Sequence, residues 1–588
     1  MKVADLILYP QPVECKIGTG KVKVPAKITV SGASQKSIEL AFGRNALMTS
    51  EGAFVRCSHD SSVKGGFEGY RLEINAKGFI TVESPSDTGI THALRTISQM
   101  LKSSPKELPV LKIEDWPSFP VRGVMLDISR DRVPTMSTLF QLVDKIAELK
   151  GNHLELYMEH TFAYKGHETV WRDASPMTAE EMVILDRYCS ERGVSLCANQ
   201  NTLGHFERWL KHPQYADLAE MTRGHFVNMY WYVEPNTLCA TDLRGRRLVK
   251  ELLSQLMPLC SGNNVNIGCD EPWDLGKGRS KADVDKRGRN AVYGEHVAEV
   301  AEFVVKNGKR PSFWVDPDFG NKRSEIPPLP PELIGNVWGY DSNTDFKNRL
   351  KSLGEAGLDA FVYPGAGCWN SFTGRTNTRK KNLELAANEG SANSAKGFVT
   401  TEWGDCGHNQ QWPVSLFGMM EGVAVAWSGK SYTDSRAEAA HVFNEPELGS
   451  WLEKLGQSDD CVKVGNANVT FSVFNKPFLN PSFPGALEDW EKCRSNLTAL
   501  LKKIPAKNPL LARECRFAAE LALWNTERAI LNKKTGPKTP HKIIHKLTLR
   551  LLDHMAEHKA LWLERSRPGG LVDSCNRTYM QRIRMPYD

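Results

Sequence analysis

Asn264-Val265-Asn266-Ile267-Gly268-Cys269-Asp270-Glu271-Pro272-Trp273-Asp274 is the stretch on which the reading of this chain turns. It opens as a short apolar-alternating run, the pattern of a strand. It ends in two adjacent carboxylates, and Pro272 cannot continue a central strand. Two acids side by side at a strand end repel, and like-charge repulsion favours keeping one of them protonated. An acid held protonated beside an ionised one is the arrangement that glycosidic acid catalysis uses. A polar strand end that merely meets a loop would look the same in isolation, so the neighbouring segments decide.

Short apolar runs recur on either side of this stretch: Val121–Ile128, His153–Met158, Val194–Ala198, Asn264–Cys269, Pro311–Val315, Ile334–Trp338, Ala360–Tyr363 and Phe398–Thr401. Helical patterns separate most of them, at Met136–Leu149, Ala179–Arg192, Leu248–Leu259, Tyr293–Lys306, Phe346–Ala356 and Thr378–Ala387. Eight strands with crossovers predict an α/β fold, a (β/α)8 TIM barrel over residues 119–430. Such barrels carry their chemistry at the C-terminal ends of the strands. Those ends read Asp127 with Arg130; Glu159-His160; Asn199, Asn201 and His205; Asp270-Glu271; Trp314 and Asp316; Trp338, Tyr340 and Asp341; Tyr363 and Trp369; Trp403 and Asp405. Carboxylates bond sugar hydroxyls and indoles stack on pyranose faces, so the set favours a carbohydrate pocket over tryptophans that serve only as core anchors.

Residues 1–118 read as an N-terminal α+β domain. Lys21–Val24 and Ile28–Val30 suggest strands, and Tyr70–Ile74 and Phe79–Val82 flank a hairpin turn. Ser86 or Asp87 is placed to cap a helix running to Leu101. Residues 431–588 read as a C-terminal helical domain, with apolar three- and four-residue spacing over Pro484–Ile504, Leu510–Leu531 and His541–Arg565.

Composition narrows the function. The 588 residues carry a net charge of only +6, with 41% hydrophobic and 24% charged residues. No basic block interleaved with aromatics suggests nucleic acid, and no apolar run is long enough to span a membrane. Met1–Asp5 places an acid where a signal peptide would be apolar, so the expected location is cytoplasmic, unless a targeting segment was removed before numbering. The 13 cysteines form no Cys-x-x-Cys pair, which favours free thiols in a reducing compartment. Ser428-Gly429-Lys430-Ser431 lacks the first glycine of a phosphate loop, and Gly276-Lys277-Gly278 lacks the third of a dinucleotide fingerprint. Glu159, His160, His167 and Glu168 match no standard metal spacing, so neither a metal nor another cofactor is expected.

With these motifs in view, the chain from about residue 69 onward resembles the family 20 glycoside hydrolases, exo-β-N-acetylhexosaminidases. The resemblance rests on Arg122–Arg130, similar to a first barrel strand, and on Ile267–Glu271, similar to a Gly-x-Asp-Glu catalytic motif. Gln200–His205, His212–Leu218, Thr401–Asp405 and Arg567–Gly570 are closest to a hexosaminidase D-like branch. The resemblance implies that Glu271 is the general acid and then the base, with Asp270 orienting the substrate's own 2-acetamido nucleophile. It implies that Arg122 and Asp405 bond the terminal sugar, that Trp314, Trp338 and Trp403 wall the pocket, and that His205 lies near the catalytic pair. Tyr340 or Tyr363 would donate to the acetamido oxygen, and Trp369 at a strand exit counts as a further candidate substrate contact. Glu159-His160 stands where that branch shows an acidic pair, so both count as candidate substrate contacts.

The expected activity is removal of a terminal β-linked N-acetylglucosamine or N-acetylgalactosamine from an oligosaccharide or glycoconjugate, with a homo-oligomer possible. The alternatives are a β-glycosidase of the same fold for a different or modified sugar, and a catalytically silent carbohydrate-binding protein.

Overall fold

The computed structural model describes residues 7–50, 52–228, 231–431, 434–463, 468–474, 476 and 483–584; Met1–Asp5 lies outside them. Eight parallel strands close into a barrel: Val121–Asp127, His153–Tyr157, Ser195–Asn199, Asn264–Asn266, Arg310–Trp314, Ile334–Trp338, Asp359–Tyr363 and Gly397–Glu402. Each coincides with one of the eight expected runs. The fourth is shorter than its apolar run, because the backbone turns left-handed at Gly268 (φ 68°) and Cys269 (φ 74°). Parallel barrel strands are covered on both faces, which is why they read as near-continuous apolar runs. Their inner faces supply Met125, Tyr157, Trp314, Ile334, Phe361, Tyr363, Val399 and Trp403 to one buried cluster. Their outer faces pack against the surrounding helices in a second, larger one.

The six expected helices are present with shifted ends. The helix expected at Leu248 begins at Leu243, where the Asp242 side chain caps it. A further helix, Trp412–Ser428, had no amphipathic signature in the sequence. Every residue from Trp412 to Trp427 is buried. Met419, Met420 and Val423 pack on the barrel, Val414 and Phe417 join the core of the C-terminal helices, and Trp427 joins the core of the N-terminal domain. A helix covered all round has no polar stripe to betray it.

The N-terminal domain is a seven-stranded mixed sheet. Its strand order is Glu14–Lys23, Glu107–Asp115, Tyr70–Ile74, Ile80–Ser84, Val55–His59, Ile28–Ser31 and Ala46–Met48. Ser86 caps the helix Asp87–Ser103 by accepting from the N–H groups of Thr88 and Gly89. The C-terminal domain is helical, with long helices at Leu487–Lys502, Pro509–Thr535 and His541–Arg565. Arg567 ties it to the barrel through Glu181, at 2.8 Å, and through the Val133 carbonyl.

Arg122 corrects an expectation. It does not reach the pocket. It is the second residue of the first barrel strand, so it lies at the N-terminal end of the barrel, opposite the strand exits. Its guanidinium is wholly buried and bonds both oxygens of Glu68 at 2.5 and 3.0 Å, together with the carbonyls of Lys150, Phe119 and Pro120. It also stands over the Trp427 ring. Beside it Lys150 donates to Asp115 at 2.7 Å, and Asp115 accepts from Tyr70 and Trp427 as well. These two ion pairs form a seam between the N-terminal domain and the barrel.

Removing one partner of such a pair leaves a buried charge uncompensated, at a cost of ~3–5 kcal/mol. Arg122→Ala is therefore expected to lower unfolding stability by about that amount in denaturant titrations, with kcat per folded molecule little changed. The seam also makes the fold acid-labile. Burial opposes the Glu68 carboxylate, but the His92 hydrogen bond and the Arg122 charge outweigh it and lower its pKa from 4.5 to about 2. Burial holds the His92 imidazole neutral down to about 4. Both folded-state values are depressed, so stability present at neutral pH is lost as pH falls, first through the His92 window below 6.5 and then through the Glu68 window from 4.5 toward 2. Glu68→Gln should flatten the lower part of a plot of unfolding free energy against pH.

Candidate active site

The fourth strand delivers its two acids through a turn with little freedom. Gly268 and Cys269 adopt left-handed φ, as does Glu271 at 46°. A side chain at Gly268 would overlap Asn201, and one at Gly204 would overlap the Asp270 carbonyl, so both positions require glycine. The turn is tied on several sides. Trp314 N–H donates to the Gly268 carbonyl, Thr202 Oγ1 to the Ile267 carbonyl, and Tyr293 Oη to the Cys269 carbonyl. Glu271 N–H donates to Asp316 Oδ2 at 3.0 Å.

Both carboxylates meet one histidine. His205 Nε2 lies 3.3 Å from Asp270 Oδ2 and 3.4 Å from Glu271 Oε2, and its Nδ1 lies 3.6 Å from Glu159 Oε1. Burial disfavours a charged imidazole, but the Asp270 and Glu271 carboxylates close to Nε2 outweigh it, so its pKa is raised well above 6.5. His205 is thus the cation that lets two acids share one site. Its ligand atom lies within 4.8 Å of those of Asp270 and Glu271.

Arg130, not Arg122, is the arginine of the pocket. It sits just past the end of the first strand, where the Asp127 side chain accepts from the N–H groups of Ser129 and Arg130. Asp127 also accepts from Gly404 N–H, which joins the exits of the first and eighth strands. The Arg130 guanidinium lies 3.4 Å from Glu159 and 3.8 Å from Asp405, over the rings of Tyr157 and Trp403. Asp405 in turn accepts from Trp369 Nε1 at 2.7 Å.

These groups line a cavity of about 410 Å³ at the C-terminal end of the barrel, with Asp270, Glu271 and His205 on one wall and Trp314, Trp338, Tyr340, Trp369 and Trp403 on the others. Trp338 stacks on Tyr340, and Tyr340 meets Trp369 at 5.8 Å. Asp270 Oδ1 and the indole N–H groups of Trp314 and Trp338 are buried and make no hydrogen bond within the protein. The cavity thus offers flat apolar walls, a few aimed donors, and acids at two places, which suits a single sugar ring.

Three further expected residues stand elsewhere. Tyr363 is buried below the cavity, with its hydroxyl donating to Glu155 Oε2 at 2.9 Å, so Tyr340 is the tyrosine of the cavity wall. His160 lines a separate cavity of about 210 Å³ with Asp131, Arg208 and Lys211; burial and the nearby cations keep its ring neutral. Glu159 does not line the cavity and touches it only through Arg130 and His205. Arg130 was visible at a strand exit, but its role was assigned to Arg122. The signal that separates them is position, since only the arginine past the strand's C-terminal end can reach the site. Asp316, which holds the Glu271 N–H, was likewise visible only as one acid among several.

The chain matches two family models, "Glycosyl hydrolase family 20, domain 2" over residues 5–116 and "Glycosyl hydrolase family 20, catalytic domain" over residues 119–402. It is 25% identical over 280 residues to a beta-hexosaminidase of Porphyromonas gingivalis, covering 42% of this chain and 35% of that one. It is 23% identical over 304 residues to hexosaminidase D of Bos taurus, covering 48% of this chain and 84% of that one. The chain spans 35% and 56% of the length of two bacterial beta-hexosaminidases that it matches. In three dimensions it is similar to a chitobiase of Flavobacterium johnsoniae, with a TM-score of 0.59 at 17% identity over 94% of this chain and 97% of that one.

The raised pKa of His205 depends on its acidic neighbours. In a carbon–nitrogen correlated NMR titration its imidazole is expected to stay protonated well above pH 6.5, and Asp270→Asn should move its titration toward the ordinary value. Because the folded-state value is raised, the stability it adds is complete below pH 6.5 and is lost as pH rises through the folded pKa. A His205 that titrates near 6.5 in both proteins would mean that no imidazolium bridges the two acids.

Proposed function

Because the chain belongs to glycosyl hydrolase family 20, we propose that it hydrolyses terminal, non-reducing β-linked N-acetylglucosamine or N-acetylgalactosamine with retention, using the substrate's acetamido group as nucleophile. The observation that carries this reading is that Asp270 and Glu271 reach the same nitrogen of His205. Two acids on one side of a cavity cannot flank a sugar ring from opposite faces, as the two-carboxylate route requires. Substrate assistance departs from that route, and it needs an acid and an orienting carboxylate on the same side. In that scheme Glu271 receives a proton from the His205 imidazolium 3.4 Å away, passes it to the leaving oxygen, and later takes a proton from water and returns it to His205. Asp270 orients the acetamido N–H and stabilises the positive charge that develops there, and the hydroxyl of Tyr340, which lines the cavity, donates to the acetamido oxygen. Arg130 and Asp405 bond hydroxyls of the terminal ring, while Trp314, Trp338 and Trp403 pack on its faces. A cavity of about 410 Å³ suits one residue at the end of a chain, which supports exo action. Thirteen free thiols, most of them buried, support a reducing, cytoplasmic setting.

A positioned general acid is worth ~10²–10⁴-fold. Glu271→Gln should cost that much in kcat on an unactivated disaccharide and less on an activated aryl glycoside, and an unchanged rate on the disaccharide would remove Glu271 from the acid role. Fluorine in the acetyl group weakens the amide oxygen as a nucleophile with little change in size. The rate should fall steeply along the mono-, di- and trifluoroacetyl series, and Asp270→Asn should blunt the slope. A flat series, or a sugar trapped covalently on a protein carboxylate, would favour the reading of a different or modified sugar.

A further inference from the structure

Barrel interiors are ordinarily filled by branched apolar side chains. Here the second strand turns His153, Glu155 and Tyr157 inward at alternate positions, and Glu155 is completely buried. Its Oε1 accepts from Asn199 Nδ2 at 2.5 Å and from Asn266 Nδ2 at 2.7 Å, and its Oε2 accepts from Tyr363 Oη at 2.9 Å. His153 Nε2 lies 3.6 Å from Oε2. His153, Glu155 and Cys197 could in principle gather around a metal, but both Glu155 oxygens are already engaged and Cys197 Sγ donates to the Asn264 carbonyl.

The bonds lead to the catalytic turn. Asn266 gives its Nδ2 to Glu155, and its Oδ1 accepts from Gly268 N–H at 3.0 Å. A carboxylate accepts and does not donate, so it fixes which way the Asn266 amide points. With the amide reversed, its NH₂ would face the Gly268 N–H, donor against donor. Gly268 starts the left-handed turn that ends in Asp270 and Glu271. A second arm runs from Tyr363 to Trp314, whose rings meet edge to face at 4.6 Å, and Trp314 lines the cavity.

We propose that Glu155 is a positioning residue for the reaction: from the centre of the barrel it orients the Asn266 amide, and through it the turn that presents Asp270 and Glu271. The inference rests on the functional reading above, because the reaction it serves is the one assigned there. A misplacement of about 1 Å at a reacting group can cost ~10²-fold in rate.

Wild type, Glu155→Met, Glu155→Gln and Asn266→Ala are compared on an aryl N-acetylglucosaminide and by amide hydrogen exchange over residues 264–271. Glu155→Met keeps the length of the side chain and removes its acceptors, whereas Glu155→Gln keeps one oxygen for the two asparagine amides. Glu155→Met and Asn266→Ala should each lower kcat by ~10²-fold with KM nearly unchanged and should speed exchange across 264–271. Glu155→Gln should recover most of both. Asn266→Ala decides the matter if Glu155→Met does not fold. Wild-type kcat and exchange in Asn266→Ala would overturn the proposal, as would faster exchange spread evenly over all barrel strands. A wild type inactive on every aryl N-acetylhexosaminide would overturn the functional reading alone, because exchange is measured without substrate.

Discussion

Two carboxylates adjacent in sequence have to be held together against their own repulsion, and the site is arranged around that constraint. A protonated His205 between Asp270 and Glu271 supplies the counter-charge. A strand would direct neighbouring side chains to opposite faces, so the chain must leave strand geometry before it reaches the acids. It does so at Gly268 and Cys269, and the space for that turn comes from the absence of a side chain at Gly204 and Gly268. The cavity walls follow from the same geometry, since Thr202, Trp314 and Asp316, three of the partners of the turn, come from the third and fifth strand exits.

Arg130 does for the opposite side of the cavity what His205 does for Asp270 and Glu271. It is the cation among Asp127, Glu159 and Asp405; burial opposes its charge, but Tyr157 and those acids raise its pKa. Two partly buried cations thus each serve more than one acid. Every acid they hold lies at a strand exit, where backbone N–H groups of the turns also donate, as Ser129, Arg130 and Gly404 do to Asp127.

Much of this was legible in the sequence. The eight strands were, because parallel barrel strands are buried on both faces and read as unbroken apolar runs. The Asp270-Glu271 pair and most of the aromatic strand exits were, because carboxylates and indoles recur together at exit after exit, and those exits meet in one cavity. The helix Trp412–Ser428 was not, since burial by three neighbours erases the periodicity that marks a helix. Arg122 and Arg130 are the same residue type within one motif, and only the direction of the strand separates the closed end of the barrel from the catalytic one. His160 and Tyr363 fail for a related reason. Each belongs to a strand exit, but His160 leaves toward the cavity lined by Asp131 and Arg208, and Tyr363 points down into the barrel. Glu155 left only a faint trace, a polar residue at every second position of an otherwise apolar strand.

The seam of Arg122 with Glu68 and Lys150 with Asp115 bears on how such a chain can change by recombination. An apolar contact between domains tolerates exchange, because one greasy surface packs adequately against another. A buried ion pair does not, since a new neighbour must offer the opposite charge at the same place or leave one stranded. Trp427 tightens the condition, because its ring lies under Arg122 and its indole N–H bonds Asp115 across the boundary. The N-terminal domain of this chain is therefore heritable only together with its own barrel. A graft from a relative would have to bring the acids at positions 68 and 115 with it.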